Sequence, residues 1–320
     1  MISNNKDWID VLKGIGIILI VIGHIYKDIL HDIIYLFHVP LFFFISGYLY
    51  RQPDNIYIYC IKKINNLLVP YICFLLIFTL ILVIEAFFSH KPINIIYSYL
   101  TNALMGGKSL SGWLSVFWFI TCLFITQVLF SILSVLNKKH LAYANIFSLI
   151  LAYLNSYAVP DYYLFWSLNI VFYSLPIYYI GNLFSKIESK ILINNIATIS
   201  IFTLIPFYYI NSELLITDMK SARYGLPIIS IIFSTSIIIF LFSLSKKITK
   251  FKGYSKWLVY LGSSSMTIMY LHQPIQISLK HIIGMHSDIN LTIITLILCS
   301  ISHFFISKNR LLSRYLLGRT

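Results

Sequence analysis

Charge is scarce in this chain. Only 11% of its 320 residues are Asp, Glu, Lys or Arg, where soluble domains carry about a quarter. With 58% hydrophobic residues and a mean hydropathy of +0.82, that shortage excludes a soluble globular domain and leaves an integral membrane protein. Acidic residues are fewest, 11 against 24 Lys and Arg. The resulting net charge of +13 could point to nucleic acid. The cations gather in alternate loops, however, as the positive-inside rule requires, so no nucleic-acid partner is expected. Regular apolar–polar alternation is missing from the long hydrophobic runs, which excludes a β-barrel and leaves helices. Cysteine is sparse: Cys60, Cys73, Cys122 and Cys299 lie in or beside apolar segments without metal-type spacing, and read as small buried thiols. The first apolar run has no small-residue cleavage site and contains Lys13, so it is expected to stay as a span. Internal repeats, low-complexity linkers and domain-sized loops are also lacking. Residues 1–320 read as one membrane domain whose chemistry must use the bundle and its loops.

What is present is an all-α, polytopic pattern. About ten spans are expected, at 9–28, 33–50, 67–88, 114–136, 141–157, 166–184, 194–210, 226–245, 257–279 and 289–307. With a cytoplasmic amino terminus, eighteen of the 24 Lys and Arg fall in cytoplasmic segments and six outside. Both termini are then cytoplasmic. Lys6 and Lys190 count on the cytoplasmic side, with Lys246, Lys247, Lys250, Lys252 and Lys256 as a headgroup-facing loop. Asp161, Glu213, Asp218 and Asp288 fall outside.

Two residues in the first span do not belong there by composition. Lys13 and His24 are eleven residues apart, about three helical turns, so they share a face and lie roughly 16 Å apart along the axis. Ionisable groups within a span are expensive and often functional. Asp10, Lys13, Gly16, Ile20, Gly23, His24 and Lys27 form one stripe, on which the glycines admit a close neighbour. A plainer reading has Asp10 pairing with Lys13 near the interface and His24 bonding another helix. The expected topology puts His24, His38 and His272 at similar depth toward the outer leaflet, with Pro274 breaking the helix after His272. Imidazole can serve as a general base near neutral pH. No carboxylate supports these three as a zinc site, so no metal is expected. On the cytoplasmic side Arg51, Lys62 and Lys63 could hold the phosphates of a nucleotide-like donor, or could simply set topology. Asp218, Lys220 and Arg223 make a charged outer loop able to bind glycan hydroxyls.

The segments WIDVLKGIGIILIVIGHI (8–25), FHVPLFFFISGYLY (37–50), NNLLVPY (65–71), FWFITCLF (117–124), DMKSARYG (218–225) and LGSSSMTIMYLHQPI (261–275) resemble, in order, the acyltransferase-3 family of integral membrane proteins, and within it the fucose 4-O-acetylase-like branch. The resemblance implies transfer of an acyl group, usually acetyl, from cytoplasmic acyl-CoA to a sugar hydroxyl at the outer face. Acetyl-CoA is then the donor. The acceptor is a polysaccharide or lipid-linked oligosaccharide, and the location a bacterial plasma membrane. Lys13 and His24 match the family's motif of a basic residue, ten spacers and a histidine. This makes His24 catalytic, with Asp10, His38 and His272 as further catalytic candidates. Lys13, Lys62 and Lys63 become donor contacts, and Trp118, Asp218 and Arg223 acceptor contacts. Two positions depart from the pattern: Lys13 stands where many relatives have Arg, and Asn66 where many have a second basic residue. A homo-oligomer is compatible with all of this. The alternative is a transporter of a lipid-linked sugar or a proton-coupled solute, since intramembrane His and Asp also relay protons. A third is a scaffold within a glycan-assembly complex.

Overall fold

A computed structural model describes residues 7–160, 162–187 and 191–319, without the side chains at 192, 193, 205, 209, 211–213, 252 and 254. Lys6, Asp161 and Lys190 of the charge tally, and the side chains of Glu213 and Lys252, lie outside the described residues. The helices are α1 (Asp7–Ile25), α2 (Ile29–Tyr48), α3 (Ile56–Lys63), α4 (Val69–Phe88), α5 (Ile93–Met105), α6 (Trp118–Leu133), α7 (Lys138–Ala158), α8 (Leu168–Ser185), α9 (Ile191–Leu215), α10 (Ile229–Ile248), α11 (Lys252–Ser263), α12 (Ser265–Ile282), α13 (Asp288–Lys308) and α14 (Arg310–Leu317). A π-helical stretch, Ile64–Leu68, joins α3 to α4. Between α9 and α10 runs a two-stranded antiparallel ribbon, β1 (Thr217–Asp218) and β2 (Arg223–Tyr224).

Among the described residues, seven segments are long and apolar enough to cross a membrane: Asp7–Ile25, Ile29–Tyr48, Ile56–Phe88, Gly112–Leu133, Lys138–Ala158, Ile229–Ile248 and Asp288–Lys308. Their outward faces are apolar. Leu76 and Phe87 on α4 are 64% and 68% exposed, and Ile146 and Phe147 on α7 are 56% and 61%. Such faces suit hydrocarbon, which costs an apolar side chain nothing.

The remaining expected spans, 166–184, 194–210 and 257–279, correspond to α8, α9 and the pair α11 and α12. The last of them is two helices. The chain breaks at Ser264 (φ −95°, ψ 3°), inside the poorly helix-forming run Gly262–Ser263–Ser264. Conversely, Pro274 does not end its helix. α12 runs on to Ile282, losing only the bond that a residue-274 amide would give to the Tyr270 carbonyl.

The contacts gather into two compact units, each discontinuous in sequence. The first comprises 1–51, 136–161 and 172–265. In it α1 packs on α11, α2 and α10, and α10 packs on α9 and α2. Glycine sets the α1–α11 approach. A Cβ at Gly14 would collide with the Leu258 carbonyl, and one at Gly262 with the Asp10 carbonyl. The second unit comprises 52–135, 162–171 and 266–320. Here α4 packs on α5 and α14, and α6 packs on the Ile64–Leu68 stretch. An aromatic core stacks Phe74 on Tyr270 (4.4 Å), with Phe117 edge-on to Tyr270 (4.9 Å).

Candidate active site

The first unit builds its polar site from the α1–α2 hairpin. The carboxylate of Asp28 accepts the Leu30 amide at 3.0 Å and starts α2, so only a few residues separate the two helices. Gly16 and Gly23 then face α2 closely. A Cβ at Gly16 would come within 2.6 Å of Leu41, and one at Gly23 within 2.8 Å of Ile34. The close neighbour expected along this glycine stripe is therefore α2 itself.

This approach brings the end of α1 onto one face of α2. His31, Tyr35 and His38 recur at spacings of four and three, which places them on a single helical stripe. The Tyr35 hydroxyl lies 3.1 Å from Nδ1 of His24. The ring centroids of His24 and His38 are 6.3 Å apart, Tyr35 and His38 are 4.6 Å apart, and His31 stacks on Tyr35 at 3.9 Å. His38 is buried, whereas His24, His31 and Tyr35 are partly exposed.

Hydrogen bonds fix two of the tautomers. A carbonyl oxygen only accepts, so Nδ1 of His38 donates to Ile34 O (2.8 Å) and Nδ1 of His31 donates to Gly23 O (2.8 Å). Each neutral ring then carries its lone pair on Nε2. His24 differs, because its Nδ1 meets a hydroxyl that can donate or accept. When the Tyr35 oxygen accepts from Nδ1, Nε2 of His24 becomes the basic nitrogen.

The ribbon β1–β2 covers α2 nearby. It is held from behind by α7 and α8. Tyr153 donates to Leu226 O (3.3 Å), Tyr157 donates to Gly225 O (3.1 Å), and Tyr173 stacks on Tyr224 at 4.1 Å. Asp218 lies within electrostatic range of the Tyr35 hydroxyl. Its carboxylate is nonetheless occupied by its own turn, accepting from the Lys220 and Ser221 amides and from Ser221 Oγ (2.6 Å). Arg223 is exposed opposite Asp218 in the ribbon register. On the far side of the hairpin, Tyr208 of α9 donates to Asp32 of α2 at 2.8 Å.

Asp10 and Lys13 form an ion pair at 3.1 Å, with side chains 33% and 30% exposed. That agrees with the plainer reading of this pair. Asp10 stands about 21 Å along α1 from His24, so it takes no part in the histidine cluster. In the second unit, His272 is buried in α12 and donates from Nδ1 to Ile268 O at 2.8 Å. A further buried imidazole there, His303, bonds the Thr267 hydroxyl at 2.7 Å. Trp118 opens α6 and is buried, 6% exposed. Lys62 is exposed, and Lys63 Nζ sits 5.0 Å from the Tyr59 ring centroid. Among the described residues no group of three or more His, Cys, Asp and Glu side chains is placed to hold a metal ion.

Sequence reasoning missed His31 and Tyr35. The 31, 35, 38 stripe was the available signal. A family model described as an acyltransferase domain matches residues 6–307 of the 320. No curated protein and no solved structure matches the chain significantly.

Proposed function

The chain belongs to the acyltransferase-3 family over nearly its whole length and is an acyltransferase with several helices able to span a membrane, and we propose that it moves an acetyl group from cytoplasmic acetyl-CoA to a hydroxyl of a surface or lipid-linked glycan at the outer face. The proposal includes about ten spans with both termini cytoplasmic, in a bacterial plasma membrane, and the fucose 4-O-acetylase-like branch. Family membership favours the enzyme over a transporter.

The observation that carries the reading is the contact of Tyr35 with His24, beside His38. In the proposed reaction the Tyr35 oxygen accepts a hydrogen bond from Nδ1–H, which stays on the ring, and Nε2 of His24 takes the proton of the acceptor hydroxyl. The alkoxide oxygen attacks the thioester carbonyl, the carbon–sulfur bond breaks, and the leaving thiolate recovers the proton from the imidazolium. A second route has His24 carry the acetyl group first, as an acyl-imidazole that the hydroxyl then opens. A burst of released thiol before steady turnover marks the second route. Lys13 serves the donor end, three turns from His24, with its charge shared by Asp10.

The test uses membrane vesicles containing the protein, acetyl-CoA labelled in the acetyl group, and isolated surface glycan. Label in the glycan supports the reading. Glycan left unlabelled while a solute accumulates without acetyl-CoA contradicts it.

A further inference from the structure

The carboxyl-terminal corner of the second unit carries a cationic cavity that the acyl-transfer reading does not use. It measures 540 Å³ and is lined by Ser307, Lys308, Arg310, Ser313, Arg314 and Arg319. Among the described residues no carboxylate lines it. Two hydroxyls stand among four cations. Like charges gathered round one cavity repel each other, and an anion with several oxygens relieves that repulsion while taking the donors.

The cavity is shaped by the fold rather than left by a loose tail. Asn309 ends α13 and starts α14, its Oδ1 accepting the amides of Leu311 (3.0 Å) and Leu312 (3.1 Å). That corner turns Lys308 and Arg310 toward the same space. Arg310 and Arg314 are one helical turn apart and share the exposed face of α14, while Ser313 and Leu316 are buried. Gly318 then takes a left-handed conformation, φ +61°, which glycine adopts without penalty. A side chain at Gly318 would also come within 2.7 Å of Asn66. The turn brings Arg319 back, its amide donating to Ser313 O at 3.3 Å. The Asn66 amide, oriented so that its nitrogen donates, joins Gly318 O (3.1 Å) to Lys62 O (3.3 Å). The wall of the cavity is thereby tied to the helical turn that carries Lys62.

We propose that this cavity is a phosphate-binding site, in which Lys308, Arg310, Arg314 and Arg319 hold clustered phosphate oxygens and Ser307 and Ser313 add hydroxyl donors. Two sources supply that chemistry: the phosphates of a nucleotide-linked acyl donor, and the phosphate of an anionic lipid headgroup. The site itself does not depend on the acyl-transfer reading; only its use by the donor rests on that reading.

The experiment is a binding measurement, so it is independent of turnover. The full chain, its R310Q/R314Q variant and a K138Q/K139Q control, at two exposed lysines, are placed in nanodiscs. One arm titrates pyrophosphate and adenosine 3′,5′-bisphosphate in purely zwitterionic lipid. The other replaces part of that lipid with phosphatidylglycerol. Binding is read from the thermal-unfolding midpoint. The native protein and the control should be stabilised alike, and R310Q/R314Q should bind at least about tenfold more weakly, as expected for lost charge-assisted contacts. Stabilisation by the soluble phosphates assigns the site to a donor, and stabilisation only by phosphatidylglycerol assigns it to lipid. Equal binding by R310Q/R314Q and the native protein overturns the proposal, as does equal weakening in the control, which would reduce the effect to net charge. Absence of stabilisation in both arms overturns it too.

Discussion

The Tyr35 hydroxyl stands 3.1 Å from Nδ1 of His24, across the α1–α2 hairpin. With the Tyr35 oxygen accepting from Nδ1–H, the lone pair lies on Nε2, so in the proposed reaction Tyr35 is a positioning residue for the base. Tyr35→Phe keeps the ring against His31 and His38 but removes the hydroxyl. Acyl transfer should fall by roughly 10- to 100-fold, the loss of about one hydrogen bond to a ring that becomes charged during the reaction. The pH–rate profile should shift as well, because the imidazolium of His24 loses a hydrogen-bond acceptor. An unchanged rate and profile would remove Tyr35 from the account.

The α1–α11 crossing predicts a stability effect remote from the chemistry. Gly262→Ala forces a methyl group against the Asp10 backbone, which cannot yield as a flexible side chain can. Overpacking of this kind costs about 1–3 kcal/mol. Gly253→Ala, on the same helix and with open space around it, serves as the comparison. In detergent, the unfolding midpoint should fall for Gly262→Ala and hold for Gly253→Ala.

Lys13 and Asp10 separate a donor role from a structural one. Their pair is about one-third exposed on each side, and exposed pairs contribute only about 0–1 kcal/mol. Asp10→Asn should therefore leave the unfolding midpoint nearly unchanged. Lys13→Ala should raise the KM for acetyl-CoA more than it lowers kcat. A Lys13→Ala enzyme with native donor kinetics would confine the residue to the pair.

The β1–β2 ribbon divides its two expected glycan contacts. Asp218 is committed to the amides and hydroxyl of its own turn, whereas Arg223 is exposed. Arg223→Ala should raise the acceptor KM with stability intact. Asp218→Ala should lower the unfolding midpoint by loosening the ribbon over α2. Acceptor titrations and melting curves on the two variants check this directly.

Much of this arrangement is legible from residues alone. Lys13 and His24 stand out because charge is rare in an apolar helix, and the glycines at 16 and 23 announce the face that receives α2. Tyr35 does not stand out, since it is one of 24 tyrosines and only its partner across the hairpin distinguishes it. The break at Ser264 lies in the short run Gly262–Ser265, which hydropathy averaged over the length of a span conceals. Pro274 reads as a breaker, yet one missing backbone bond is tolerated when the surrounding helix is well packed. Trp118 reads as an interfacial aromatic because sequence gives depth but not the neighbours that bury it. Asp218 reads as a ligand because its turn bonds are formed by backbone amides, which no residue pattern displays.

The central claim is that His24 activates the acceptor hydroxyl. Its most direct test is the acetyl content of the surface glycan in cells carrying His24→Ala at the protein level of the native strain. Loss of a general base costs about 10²- to 10⁴-fold, so acetylation should fall to the background of a strain without the gene. Undiminished acetylation would contradict the account.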